Sequence, residues 1–294
     1  MRATKPWTAA VAGLAAVSGF LAAGAGSRRW RAATRRLVAD LDRAAREPSM
    51  RTVSFDALAP LPDPVRGYFE QVLRDGQRPL RGARVLQRGT FRSRKTDPDP
   101  EAGWSPLSAT QRFTAEPPGF VWDARIRVAP LVSVRVRDGY VAGRACMRGA
   151  VAGLLPIVDA ADDTGLRAGA LMRYLAEAVW FPTALLPGRG VTWAAMDERH
   201  ARATLADAGT TAALEFEFGT GGEIVAVYAP ERPRAVPGRT GAYVMAPWGG
   251  RYGGYQEHGG MLVPTTAEVY WVLHGREQSY YRGRNVAFEY DLGS

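Results

Sequence analysis

One glutamate stands inside the most apolar run in the second half of the chain. In Arg173–Gly188, RYLAEAVWFPTALLPG, Glu177 is the only acid among Leu, Val, Trp and Phe, and Arg173 lies four residues before it. A carboxyl group in such surroundings is pushed toward its neutral form and can serve as a general acid or base. The same spacing permits a plain intrahelical ion pair, because residues four apart share a helix face. From the sequence both readings stay open: Glu177 as a catalytic or ligand-contacting group, or Glu177 as a structural acceptor.

The side chains that could share a pocket with it are mostly aromatic. Trp122, Tyr174, Trp180, Trp193, Trp248 and Tyr252 are the candidate lining for an apolar or amphipathic small molecule, with His200, Glu215 and Glu268 as further polar candidates. Glu215 lies between Leu214 and Phe216 in a strand-like alternation, which directs it to solvent. His200, His258 and His274 sit at turns without the close spacing of metal ligands, so neither a metal nor another cofactor is expected. Cys146 is the single cysteine, which excludes an intramolecular disulfide and a multi-cysteine metal site. Its small and apolar neighbours suit a buried thiol better than a nucleophile. Gly249-Gly250 and Gly253-Gly254 lack the lysine and helix of a phosphate loop, and read as bends in a twisted sheet.

Charge narrows the class of partner. Nine basic and three acidic residues fall within positions 1–50, leaving twenty-nine against twenty-six in the remainder of a chain whose formal net charge is +9. A basic end joined to a nearly balanced body is not the footprint of a nucleic-acid domain. Trp7–Gly26 carries no charge, and twenty helical residues span about 30 Å, the thickness of a bilayer core. Arg28, Arg29, Arg31, Arg35 and Arg36 follow it directly. The expectation is a single-pass anchor in the cell membrane, with these arginines against membrane lipids and the soluble part in the cytoplasm. Ala23-Gly24-Ala25 supports the alternative, cleavage of a signal peptide and export. Trp30, Thr34, Leu37 and Leu41 recur every three or four residues and read as a face lying along the lipid surface.

The positioning elements follow from periodicity. The organisation expected is an anchor over 1–27, a basic amphipathic helix and linker over 28–60, and one folded unit over 61–294. Ser49–Pro64 is proline-rich and reads as the linker. Val65, Phe69, Val72 and Leu73 make the apolar face of a short helix. From Leu80 the period becomes two, most cleanly where Phe120, Trp122, Ala124 and Ile126 oppose Asp123, Arg125 and Arg127. Asp138-Gly139 reads as a tight turn, and Pro230, Pro233 and Pro237 as a long connection. Between two runs of strands lies a helix over about Gly165–Trp180, capped by Asp163 or Thr164. Nearly regular hairpins without βαβ units predict a predominantly antiparallel α+β fold: a strongly curved open sheet or incomplete barrel with a helix packed in its concave side.

The run from Leu171 through Gly188, with Gln111-Arg112-Phe113, Phe120-Val121-Trp122-Asp123-Ala124, Trp180-Phe181-Pro182 and Glu215-Phe216, resembles the signature of an uncharacterised bacterial family common in actinobacteria. Met172 departs from the apolar residue at that place only trivially. The resemblance extends from Leu61 to Tyr290 and implies a short N-terminal hydrophobic segment before a soluble region, with no activity to transfer. The layout is also similar, in architecture alone, to periplasmic lipoprotein-carrier folds, in which a curved sheet wraps helices and an apolar cavity. The functional expectation is a membrane-tethered binding protein for a hydrophobic or amphipathic small molecule. An enzyme using Glu177 as general acid or base on such a ligand, and a non-catalytic envelope scaffold, are the alternatives.

Overall fold

Thirteen strands form one antiparallel sheet in a computed structural model that describes residues 6–92 and 101–293, with side chains from Gly24 onward. The first six are β1 (Gly82–Arg92), β2 (Trp104–Thr114), β3 (Gly119–Ala129), β4 (Val132–Val141), β5 (Arg144–Val151) and β6 (Leu155–Ala160). The other seven are β7 (Val191–Ala195), β8 (His200–Asp207), β9 (Thr210–Phe218), β10 (Ile224–Ala235), β11 (Tyr243–His258), β12 (Met261–Leu273) and β13 (Arg276–Asp291). Each half is a meander, and the halves join where β1 pairs with β13, so β6 and β7 are the free edges. The sheet curves but does not close. Across the gap the Tyr140 hydroxyl donates to Asp207 Oδ2 at 2.7 Å, linking β4 to β8 by side chains alone.

The chain between the two edges supplies the plug. Helix α3 (Thr164–Glu177) and the 3-10 turns after it lie in the concave side, touching β9 and β10 of one half and β3, β4 and β5 of the other. Asp163 caps α3 by accepting from Leu166 N at 2.7 Å; the α-helix expected to reach Trp180 ends at Glu177, a 3-10 turn covers Ala178–Trp180, and Pro182 opens a second such turn. Leu171, Tyr174, Leu175, Val179, Trp180, Phe181 and Leu185 are all buried. At about 1.5–3 kcal/mol for each large apolar side chain removed from water, this face outweighs any surface ion pair and fixes where the helix lies.

Helix α1 (Pro6–Ala44) is a single helix across residue 27. Its C-terminal half packs on the convex face of β2, β3 and β4. The stripe expected along lipid is spent on the sheet instead. Trp30 Nε1 donates to Asp123 Oδ1 at 2.8 Å, and Arg137 stacks over the Trp30 ring at 4.7 Å while donating to Thr34 Oγ1 at 3.0 Å. Leu37 lies over Gly139 and Leu41 over Gly119. The physical reason is the convex face itself, where Val121 and Gly139 would otherwise stand in water. Arg28, Arg29, Arg31, Arg35 and Arg36 point outward and are exposed. The anchor expected over Trp7–Gly26 lies outside the described side chains except for its last three residues. Among the described residues no helix is long and apolar enough to cross a membrane.

Three local readings change. The turn expected at Asp138-Gly139 is the middle of β4, and the chain reverses at Ala142-Gly143, both at positive φ. Gly139 serves close approach there: a Cβ would meet Phe120 O at 3.2 Å and Leu37 at 3.4 Å. Pro230 and Pro233 of the expected connection lie in strand β10, whose register shifts between Ala229 and Arg232 so that Pro230 falls where the ladder is interrupted, and only Pro237 lies in the turn before β11. The linker is packed as well, with Val53 and Leu58 buried beneath helix α2 (Asp63–Val72), whose Val65, Phe69 and Val72 enter the core as the periodicity requires.

Candidate functional site

The polar centre of the concave side is built on Arg173. Its Nε donates to Glu177 Oε1 at 2.9 Å and its Nη1 to Asp138 Oδ2 at 2.7 Å, so α3 is tied both to itself and to β4. The guanidinium also lies over the Trp122 ring at 4.8 Å and the Phe120 ring at 5.2 Å. Glu177 Oε2 accepts from Gln111 Nε2 at 2.6 Å, and Trp122 Nε1 donates to Gln87 Oε1 at 2.8 Å. Strands β1, β2 and β4 thus contribute one polar side chain each, and β3 two rings, to a network around a single cation. Accessibility is low but not zero: 19% of the Arg173 side chain and 15% of Glu177 remain exposed, against 8% for Asp138.

Burial holds the Glu177 carboxyl above the ordinary carboxylate range, with Arg173 and Gln111 pulling it back. Both Glu177 oxygens are engaged, so the proton-transfer role would need one of these partners displaced. The geometry is that of a structural ion-pair network that also borders accessible space.

A second cation lies nearby, with Asp138 and Glu177 acting on it at a distance but no acid in contact. Arg232 of β10 sits over Trp248 at 4.6 Å and Trp271 at 5.2 Å, and its Nη2 donates to Gly169 O of α3 at 2.9 Å. Its Nε is buried without a hydrogen-bond partner, and no carboxylate among the described residues forms an ion pair with it. Burial lowers its pKa from the usual guanidinium value. Trp248 Nε1 in turn donates to the Tyr280 hydroxyl at 3.0 Å. Tyr280 and Arg232 are both half-buried, so this aromatic and cationic wall keeps surface open to solvent.

The candidates read from the sequence divide among several places. Trp122 and Glu177 meet in the Arg173 network, and Trp248 belongs to the Arg232 wall. Tyr174 and Tyr252 turn their hydroxyls onto the carbonyls of Thr114 at 3.0 Å and Ala176 at 2.8 Å, tying α3 to the sheet. Trp180 is packed edge-on against Phe113, with centroids 6.2 Å apart. Trp193 lies in a separate cluster with Phe69 and Phe216. His200 bonds Asp197, Glu215 pairs with Arg202 at 2.7 Å, and Glu268 pairs with Arg282 at 3.0 Å, all away from the Arg173 network. Burial raises the pKa of the half-buried Cys146 thiol. No group of three His, Cys, Asp or Glu residues suited to a metal occurs among the described residues. Asp138, Gln87, Gln111 and Arg232 were not singled out as site residues by pattern. Asp138 was hidden by its turn-like neighbour Gly139, while Arg232 was hidden between two prolines.

Two open clefts lie on the convex side. One, about 290 Å³, is bordered by Arg88, Ser108, Thr110 and Arg125. The other, about 250 Å³, lies between α1 and the β5–β6 edge, bordered by Arg29, Trp30, Arg137, Arg148 and Asp159.

These features define an α+β protein with an open, strongly curved antiparallel sheet wrapped about a helix. The chain belongs to DUF6544, a family of unknown function, whose model matches residues 51–283. No curated protein matches it. Among solved structures it is similar to a domain from Vibrio parahaemolyticus titled for outer-membrane lipoprotein sorting, at 8% identity and a TM-score of 0.39, over 72% of this chain and 86% of that one. It is similar also to a LolA superfamily protein from Nitrosomonas europaea, at 8% identity and a TM-score of 0.36, over 77% and 91% of the two chains. Scores of this size carry neither ligand nor activity across.

Proposed function

We propose that the protein is a membrane-tethered binding protein for an amphipathic small molecule with an acidic headgroup, taken up on the concave side between α3 and β10–β13. The observation that carries this reading is Arg232: a guanidinium over two tryptophans, in contact with no carboxylate, with its buried Nε unpartnered while Asp138 and Glu177 act on it only at a distance. A buried guanidinium nitrogen left without a partner is costly, and an acidic ligand that reaches it removes that cost. The half-buried Tyr280, bonded to Trp248 of the same wall, offers apolar surface for the rest of such a molecule. The tether is supported by the uncharged Trp7–Gly26 stretch and the exposed arginines after it. Lying next to a bilayer would give the protein direct access to a membrane-soluble ligand, with the domain on the cytoplasmic side.

The test compares palmitate with hexadecanol, which share a chain and differ in charge, by tryptophan fluorescence of the purified protein. Palmitate alone is expected to bind, and Arg232→Met to abolish that preference while leaving the fold intact. Equal binding of both compounds, or of neither, sinks the reading. Glu177→Gln is expected to leave palmitate binding unchanged, because its carboxylate already has partners within the fold.

A further inference from the structure

One corner of the sheet exposes apolar side chains that the fold gives no reason to keep. Leu131, at the β3–β4 turn, is 98% exposed and is held at φ 63°, where glycine or asparagine would be cheaper. Val128 and Val132 flank it, and Leu154, Leu155 and Ile157 are exposed along the β5–β6 turn and the edge strand. Sheet edges are ordinarily blunted by charge, yet β6 carries its apolar residues outward. Pro156, the second residue of β6, has no N–H to offer a further strand, which weakens pairing with a second copy as an explanation.

The direction of α1 supplies what covers the corner. Leu41 lies over Gly119 at the start of β3, Trp30 bonds Asp123 in its middle, and Gly26 touches Leu154 beside the β5–β6 turn. The helix therefore runs antiparallel to β3, and its N-terminal half leads away past the exposed turns. Where packing on the sheet stops, at Gly26, the sequence toward the N-terminus becomes free of charge until Lys5. Around the same corner Arg28, Arg29, Arg31, Arg125 and Arg127 are exposed, and none is in an ion pair with a described residue. The 250 Å³ cleft between α1 and the β5–β6 edge is bordered by Arg29 and Arg148 over a buried Arg137 already bonded to Thr34 and the Trp30 carbonyl, and its one acid, Asp159, pairs with Arg148. Apolar tips beside a basic cleft match a surface that is apolar below and anionic above.

We infer that this corner rests on an anionic bilayer, with Leu131, Leu155 and Ile157 entering the interface and the cleft beside Arg29 and Arg148 receiving a lipid phosphate. The inference rests on the tethered reading for the path of the helix, and adds to it a fixed face of the domain turned toward the lipid.

The test uses the full chain with Cys146→Ala, carrying Leu131→Cys, Leu155→Cys or, as a control in the turn after β7, Glu198→Cys, each bearing an environment-sensitive fluorophore. The protein is placed in nanodiscs of phosphatidylcholine and phosphatidylglycerol. Labels at 131 and 155 are expected to lose most of their emission to a lipid-attached nitroxide and to be shielded from aqueous iodide, with the reverse at 198. Replacing phosphatidylglycerol by phosphatidylcholine is expected to weaken the nitroxide effect. If the chain enters the disc but labels 131 and 155 stay open to iodide, the docking face is refuted and the tether stands. If the chain does not associate with the disc, the tether falls and the docking with it. Shielding that appears only when two copies share a disc would assign the corner to a second copy and overturn the lipid proposal.

Discussion

Arg173→Met keeps the side-chain stem of Arg173 but removes the charge that two carboxylates share. In the native protein the guanidinium is 2.9 Å from Glu177 and 2.7 Å from Asp138, with all three side chains less than one-fifth exposed. Breaking a buried pair by deleting one partner costs about 3–5 kcal/mol, because the remaining charge is uncompensated. At about 2–4 °C per kcal/mol for a domain of this size, the unfolding midpoint falls by roughly 10 °C. The loss also depends on pH. Burial already holds the Glu177 carboxyl above its ordinary value of 4.5, and losing Arg173 raises it further. The folded variant then keeps a proton that the unfolded chain releases, so its stability is fully present below the unfolded value and is lost as pH rises through the folded one. Urea unfolding followed by tryptophan fluorescence should show a small deficit near about pH 4.5 and the full one near about pH 7. Adding Glu177→Gln to the variant should recover part of the loss at neutral pH. A deficit below about 1 kcal/mol that does not move with pH would place these charges among solvent-screened surface pairs and refute the buried-network account.

Asp163→Ala removes the cap of α3 and the acceptor for the Tyr243 hydroxyl, 2.9 Å away, and should cost about 1–2 kcal/mol in urea unfolding. Asp162 is pulled down to about 2 by its two-point contact with Arg167, so its contribution is present above the unfolded value of 3.8 and is lost as pH falls through the folded one. Asp162→Asn should therefore lower stability near neutrality, flatten the acid limb of the stability–pH curve, and converge with the parent protein at the lowest pH. Gly119→Val places a side chain where Leu41 of α1 and the carbonyl of Tyr140 already stand, and should cost about 1–3 kcal/mol. Limited proteolysis of the same variant should cut the end of α1 sooner than in the parent protein.

Much of the frame was legible in the order of residues. The period-two alternation of Phe120–Ile126, the apolar face of Val65, Phe69 and Val72 and the cap at the start of the central helix are local effects, written where they act. The absence of βαβ spacing required an antiparallel meander, and the apolar surface of the central helix required a concave partner. The stripe of Trp30, Thr34, Leu37 and Leu41 was equally visible, but periodicity states only that a face is covered and not by what; the convex sheet took the place expected for lipid.

The site belongs to the tertiary level. Arg173 and Glu177 are four residues apart and could be paired on paper, whereas Asp138 joins them across thirty-five positions because β4 passes under α3. Gln111 reaches Glu177 across sixty-six. Arg232 had no local signature at all: its stacking on Trp248 and Trp271 exists because the bulge after Ala229 lets a proline-rich segment continue as a strand beside β11. Sequence alone could determine which segments bury a face and which must turn, because those costs are set by each residue and its near neighbours. Only the curvature of the sheet and its register decided which charges share a dry interior, since the desolvation that gives them their chemistry depends on everything packed around them.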